Sequence, residues 1–179
     1  MHWLKVQMSM LTQSYNLIEK IIQYYKQPSM KLYRVKKSNI DKRGLYASKN
    51  IKAGDKIIEY IGRLISKKEA ETNSKFDNKK DIYLFNINEK WDLDGDYRWN
   101  AARLINHSCE PNCEVTGSGL EVWVFAIKDI KKGEELSYDY GFSYDKDYKQ
   151  FPCKCGAKKC VGYIVREGSR WRIKKRKYQ

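Results

Sequence analysis

Three short blocks carry the side chains able to do chemistry. Residues 103–113 read Arg-Leu-Ile-Asn-His-Ser-Cys-Glu-Pro-Asn-Cys, residues 135–140 read Glu-Leu-Ser-Tyr-Asp-Tyr, and residues 153–160 read Cys-Lys-Cys-Gly-Ala-Lys-Lys-Cys. The third block supplies three thiols, Cys153, Cys155 and Cys160, one short of the four ligands that close a structural zinc site. The fourth must come from elsewhere in the chain, where Cys109 and Cys113 are the only other cysteines. Both also suit small buried core positions. A lone histidine in an apolar surround is ordinarily a satisfied core group. Around His107, the run of Arg103, Asn106, Cys109, Pro111 and Asn112 turns the reading toward a ligand site.

Composition bounds what such a site can serve. The 179 residues suit one domain with short extensions, large enough for a hydrophobic core. No run of 18 or more apolar residues indicates a membrane span. The first residues are interrupted by Lys5, Gln7, Gln13 and Glu19, which does not fit a secretory signal. Five cysteines, three of them crowded together, fit a metal site in a reducing compartment better than a disulfide framework. The net charge of +14 points to acidic partners, such as nucleic acid, nucleosomes or acidic protein surfaces. A lysine-rich solvated surface explains the same charge. The run Arg170-Trp171-Arg172-Ile173-Lys174-Lys175-Arg176-Lys177 is the local candidate for a weak nucleic-acid contact, and equally for a solvated tail.

The elements that must position these blocks are short. Leu11, Tyr15, Ile18, Ile22 and Tyr25 recur at helical spacing before Pro28, which predicts an amphipathic helix ahead of the main domain. From Lys31 onward, Lys31–Val35, Lys56–Ile61, Ile82–Ile87 and Val122–Ile127 read as strands. Ser66-Lys67-Lys68-Glu69 has capping-box spacing and predicts a helix over 67–74. Gly117-Ser118-Gly119 marks a hairpin tip, and Lys131-Lys132-Gly133-Glu134 a turn. The expected fold class is mainly β with few short helices.

In their order and spacing, the three blocks resemble the SET domain of protein lysine methyltransferases. The resemblance runs from about Leu32 to Ile164. Its wording is nearest the trithorax or mixed-lineage-leukaemia type, with Asn100-Ala101-Ala102-Arg103 ahead of the Asn-His pair. It implies a β-clip fold of several small curved sheets, with the C-terminal segment passed through a surface loop as a pseudoknot. That threading departs from the usual rule against knots. The implied organisation is an N-terminal helical extension (1–30), a SET domain (31–143), a post-SET zinc segment (149–165) and a basic tail (166–179).

The resemblance also implies chemistry: transfer of a methyl group from S-adenosylmethionine to the ε-amine of a protein lysine. It makes Cys109 the fourth zinc ligand beside Cys153, Cys155 and Cys160. It assigns Asn106 and His107 to the donor, with Arg103 and Lys154, and gives the stretch Lys42, Arg43, Gly44 and Leu45 a backbone role there. Tyr46 stands where the family often has a second glycine. Tyr83 would line both donor and lysine sites. Tyr140 is the implied catalytic tyrosine, with Tyr138 and Tyr60 completing an aromatic lysine channel. A tyrosine at position 138 goes with mono- or dimethyl products. The implied partner is a histone tail or nucleosome, and the implied compartment the nucleus of the source cell or of a host, with the cytoplasm as alternative. A non-histone basic substrate and a catalytically silent binding module remain open, as does a small basic zinc-containing nucleic-acid binder.

Overall fold

The computed structural model describes Glu19 and residues 31–76 and 83–173. The chain divides into two compact units, 1–31 and 32–179. In the first, Glu19 is helical and exposed; the rest of the predicted N-terminal helix lies outside the described residues. The second unit holds all three blocks.

That unit is built of small sheets of short strands, the short strands as the residue pattern predicts and the small sheets as the resemblance implies. Strands β1 (Tyr33–Lys37) and β2 (Arg43–Ala47) form an antiparallel ribbon, from Tyr33 opposite Ala47 to Lys37 opposite Arg43. Strand β3 (Lys56–Glu59) pairs with β9 (Glu121–Ala126), which pairs in turn with β8 (Cys113–Ser118). A third sheet has β6 (Trp91–Asp94) between β4 (Arg63–Ser66) and β5 (Leu84–Asn86). Finally β7 (Asn106–His107) and β10 (Ser137–Tyr138) pair in parallel, Ser137 opposite Asn106 and Tyr138 opposite His107. Two of the three sequence blocks thus meet side by side.

Local chemistry explains the elements that sequence predicts well. In β9, buried Val122, Val124 and Ala126 alternate with half-exposed Trp123 and Phe125, the period of two expected when one sheet face is covered. The Lys56 amine sits 3.8 Å from the Trp123 ring centroid on the other face. The β8–β9 turn is two residues long, with Gly119 at φ +63°, where only glycine is unstrained. Helix α1 (Lys67–Thr72) starts on Ser66, whose hydroxyl accepts the Glu69 N–H at 3.1 Å. The reciprocal half of the capping box is replaced by an ion pair between Glu69 and Arg63.

Strands β2, β4, β6, β7, β8 and β10 are not among the strands read from the sequence, and in β6 and β2 the side chains mislead. The Trp91-Asp92-Leu93-Asp94 segment looks like a polar turn, yet Asp92 and Asp94 are buried, paired with Lys67 and Lys75. Residues 43–47 look like a surface turn, yet Leu45 and Ala47 are core residues. The free edge of β2 is taken by a segment almost ninety residues away: Leu136 N donates to Leu45 O at 2.7 Å, and Ala47 N to Glu134 O at 2.9 Å. Leu45, Ile51, Ile105, Val124, Ile130 and Leu136 form the fully buried centre. The short parallel pair lies directly against it, which fixes the blocks on a rigid base.

A candidate ligand cleft beside a cysteine cluster

Asn106 is held by a buried polar network. Its side-chain amide donates to Glu135 Oε1 at 2.8 Å, and lies 3.0 Å from Ser38 Oγ and 3.2 Å from the Arg43 carbonyl. Ser38 donates to the same Glu135 oxygen at 2.7 Å, and the Tyr46 hydroxyl donates to Glu135 Oε2 at 2.7 Å. Burial, followed by the neighbouring Glu135 carboxylate, raises the Tyr46 pKa. Gly44 makes room for this carboxylate: a Cβ there would lie 2.2 Å from Glu135 Oε1 and 3.2 Å from Asn106 Nδ2. Tyr46, at the position where a second glycine is usual, is thus a hydrogen-bonding member of the network.

His107 is oriented by backbone. Its Nδ1 accepts the Tyr140 N–H at 3.2 Å, so the proton of the neutral ring belongs on Nε2, which faces the Cys109 sulfur at 3.6 Å. The ring packs edge-on against Tyr140, centroids 5.4 Å apart. The Tyr140 hydroxyl donates to the Ile105 carbonyl at 2.9 Å, so toward any other group its oxygen acts as an acceptor. Tyr138 lies 4.9 Å from Tyr140 and 6.0 Å from Phe85, and Phe85 lies 4.6 Å from Tyr60. Tyr60 donates to the Tyr83 carbonyl at 2.9 Å. Burial pushes the Tyr60 and Tyr138 hydroxyls well above the usual phenol range. The Tyr138 hydroxyl has no hydrogen-bond partner among the described residues.

A cleft of about 770 Å³ opens over Asn106, His107 and Tyr140. Of the residues singled out in the sequence, Lys42, Arg43, Tyr83, Arg103 and Lys154 line it as well. Gly44, Leu45, Tyr60 and Tyr138 do not line it. Lys42 adopts φ +42°, an uncommon conformation for a side-chain-bearing residue, at the turn that brings backbone to the cleft edge. Arg103 lies over the Tyr83 ring at 5.1 Å, and its Nε is buried without a partner. A polar acceptor on a ligand would satisfy it.

The opposite wall comes from the cysteine-rich segment. Phe142, Phe151 and Ile164 give it an apolar surface, with Phe142 and Phe151 in edge contact at 5.0 Å. Neither phenylalanine stands out in the sequence, because nothing local distinguishes it from a core residue. Tyr163, by contrast, packs on Tyr148, and Trp171 is 77% exposed. Arg170, at the head of the basic run, is only 8% exposed and donates to protein acceptors. The end of that run, residues 174–177, lies outside the described residues.

Cys109, Cys153, Cys155 and Cys160 place their sulfurs within 4.8 Å of one another. Thiolates around zinc at 2.3 Å stand roughly 3.8 Å apart, and the Cys109–Cys153 pair is at 3.9 Å. Cys113 lies apart, buried, with its thiol pushed up to about 12 by desolvation. Cys109 is drawn down, first by Cys153 and then by the His107 N–H, while the same pairing pushes Cys153 up and burial raises Cys160 to about 11. The Gly162 N–H donates to the Cys160 sulfur at 3.3 Å, and the Cys109 N–H to Cys155 at 3.5 Å. These donors favour thiolates, as a metal site requires. The four cysteines could therefore hold a metal ion.

Comparison of the sequence with known proteins points to one family. The SET domain family matches residues 42–141. The trithorax histone-lysine N-methyltransferase of Drosophila virilis is 40% identical over 135 residues, 72% of this chain and 3% of that protein. Human histone-lysine N-methyltransferase 2B is 39% identical over 148 residues, 79% of the chain and 5% of that protein. The H3 lysine-4 specific histone-lysine N-methyltransferase of Schizosaccharomyces pombe is 42% identical over 135 residues, 71% of the chain and 14% of that protein. The chain therefore spans between 3% and 14% of the length of these relatives. With the family matching more than half of its residues, and with the Asn-His and Tyr-Asp-Tyr segments paired beside a cysteine cluster, this chain belongs to the SET domain family.

Proposed function

We propose that the chain is a protein-lysine N-methyltransferase that uses S-adenosylmethionine and acts on a histone tail, in the nucleus. The observation that carries this reading is the parallel pairing of Asn106–His107 with Ser137–Tyr138, which sets the Tyr140 hydroxyl at the base of the cleft. S-adenosylmethionine, when bound, supplies a methyl group activated by a sulfonium.

The cleft suits such a molecule. Arg103, with its buried unpartnered Nε, suits the amino-acid carboxylate. The apolar faces of Phe142 and Phe151 suit a flat heteroaromatic ring. Asn106 and His107 are held from behind, so their backbone groups face the ligand with little freedom. Lys42, Arg43 and Lys154 close the rim. Zinc at Cys109, Cys153, Cys155 and Cys160 would hold the second wall against the first.

The acceptor lysine must be uncharged to attack. Removing its proton near pH 7.5 costs roughly 4 kcal/mol for an amine of pKa about 10.4. Tyr60, Phe85, Tyr138 and Tyr140 form a run of rings that disfavours the ammonium form by desolvation. Tyr140, its proton committed to Ile105, accepts an N–H of the neutral amine and aims the nitrogen lone pair. The Tyr138 hydroxyl occupies space in the same ring cluster and limits how many methyl groups the channel accommodates. Mono- or dimethyl product is the expected outcome.

Several relatives carry the words H3 lysine-4 specific in their names, so the H3 tail is the first substrate to try. The test is incubation of the metal-loaded chain with labelled S-adenosylmethionine and separate panels of histones, nucleosomes and ribosomal proteins. Label on H3 supports the reading. Label on ribosomal proteins alone moves the substrate class to non-histone basic proteins. Donor binding with no label on any panel contradicts the proposal and favours a silent binding module.

A further inference from the structure

Arg170 lies in a stretch whose composition suggests a solvated basic tail, yet the structure uses all three of its nitrogens inside the protein. Nε donates to the Val165 carbonyl at 2.8 Å, Nη1 to the Cys109 carbonyl at 2.8 Å, and Nη2 to Asp139 Oδ2 at 2.6 Å. These acceptors belong to three separate parts of the site. Cys109 is a metal-cluster residue, Val165 follows the cysteine-rich segment, and Asp139 stands between Tyr138 and Tyr140. A planar guanidinium suits such a task, because its donors leave in fixed, divergent directions.

Asp139 passes the constraint on. Its Oδ1 accepts the Gly141 N–H at 3.0 Å, and its Oδ2 also accepts the Glu167 N–H at 2.9 Å. Oδ1 stands 3.7 Å from His107 Nδ1, the atom that accepts the Tyr140 N–H. The Tyr138–Gly141 backbone is thus bracketed by Asp139 on one side and His107 on the other. Asp139 faces Arg170 and His107 as its charged or titratable neighbours among the described groups.

We propose that Arg170 is a positioning residue that locks the metal-cluster segment to the Tyr138–Tyr140 segment, so that docking of the former sets the placement of the Tyr140 hydroxyl. The proposal rests on the methyltransferase reading for its consequence in turnover, and on the contacts alone for its consequence in structure. Loss of the guanidinium removes the charged partner of Asp139 and a donor from the Val165 and Cys109 carbonyls. The Tyr140 segment then loosens, while Arg103, Asn106 and the rim residues stay in place. Turnover falls, and donor affinity does not.

Arg170→Ala, Arg170→Lys and the nearby control Arg172→Ala separate the possibilities in the metal-loaded chain. Arg170→Ala is expected to lower kcat roughly a hundredfold with the KM for S-adenosylmethionine within about twofold of wild type, the scale of a small misplacement of reacting groups. Arg170→Lys keeps the charge but reaches only one acceptor, so it recovers a part of kcat. Arg172→Ala matches the wild type, since its side chain lies over the exposed Trp171 ring and the half-buried Tyr144 ring. Amide hydrogen exchange supplies a reading independent of activity. The Tyr140 and Gly141 amides should exchange at least about tenfold faster in Arg170→Ala, with the Leu45 and Val124 amides unchanged. Wild-type exchange at Tyr140 and Gly141, or equal acceleration across the whole core, overturns the proposal. If the wild-type chain transfers no methyl group, the methyltransferase reading fails, and the exchange comparison alone decides the lock.

Discussion

The two walls of the cleft are built on opposite principles. The Asn106–His107 wall is woven into the core: both residues are buried, paired in parallel with β10, and backed by Glu135, Ser38 and Tyr46. The Phe151–Ile164 wall holds itself by a few bonds, Cys153 N to Gly162 O at 3.0 Å and Ile164 N to Phe151 O at 2.8 Å among them. Its cysteines are only half-buried. One wall is fixed by the fold, whereas the other depends on sulfur ligands and on Arg170. A ligand would thus meet one face backed by the core and another held beside four cysteines that could bind a metal ion. The difference predicts which perturbations leave a folded but inactive chain and which unfold it.

The sharpest way to test the rigid wall is to change its chemistry without its shape. Tyr140→Phe keeps the ring contacts with His107 and Tyr138 and removes only the oxygen. Methyl transfer is expected to drop by roughly 10²–10³-fold, the scale for losing one oriented polar group at a reacting centre. The affinity for S-adenosylmethionine, read by calorimetry, should stay within about twofold. Unchanged turnover would remove Tyr140 from the mechanism.

Breaking the second wall should look different. A zinc chelator, or Cys153→Ser, is expected to abolish most turnover and to expose Phe151 and Ile164, while the β-sheet circular dichroism of the core persists. Loss of the sheets at the same chelator concentration would show that the walls are not independent.

A third perturbation strikes the backing of the rigid wall. In Gly44→Ala the new methyl group meets Glu135 Oε1 at 2.2 Å, a distance that real contacts do not allow, and Asn106 Nδ2 tightly at 3.2 Å. A stability loss of about 1–3 kcal/mol in urea melts is expected, with weaker donor binding. Wild-type stability would mean that the Glu135 carboxylate moves freely, against the network drawn here.

The smallest effect lies in alkali. Burial raises the Tyr46, Tyr60 and Tyr138 hydroxyls in the folded state. The unfolded chain therefore loses these protons first, near pH 10. Their contribution is fully present below that pH and is lost as pH rises toward the folded-state values. Each buried tyrosine steepens the fall by up to about 1.4 kcal/mol per pH unit. Stability followed from pH 9 to 11 should decline less steeply in Tyr60→Phe than in wild type; parallel curves would count against a buried Tyr60.

The same division governs what can be read from the sequence. The cysteine spacing, the Ser66 cap and the Gly119 turn depend on residues a few positions apart, and they are legible. The resemblance implied that the Asn-His and Tyr-Asp-Tyr blocks serve one site, and their parallel pairing is contained in no local rule. Hidden are features whose partners are remote: Glu135 binds Ser38 from 97 positions away and Tyr46 from 89, and Arg170 reaches Cys109 across 61. Asp92 and Asp94 disguise a buried strand because their charges are neutralised by lysines in a neighbouring helix and turn. Phe142 and Phe151 become a cleft wall only when the cysteine cluster folds its segment back.

A crystal structure of the metal-loaded chain with S-adenosylhomocysteine and an H3 peptide would examine this arrangement most directly. It should show the thioether sulfur beside the Asn106–His107 backbone, the peptide lysine ending among Tyr60, Tyr138 and Tyr140, and its nitrogen within hydrogen-bond reach of the Tyr140 oxygen. A ligand seated elsewhere, or a lysine that cannot approach Tyr140 with the metal in place, would contradict the account.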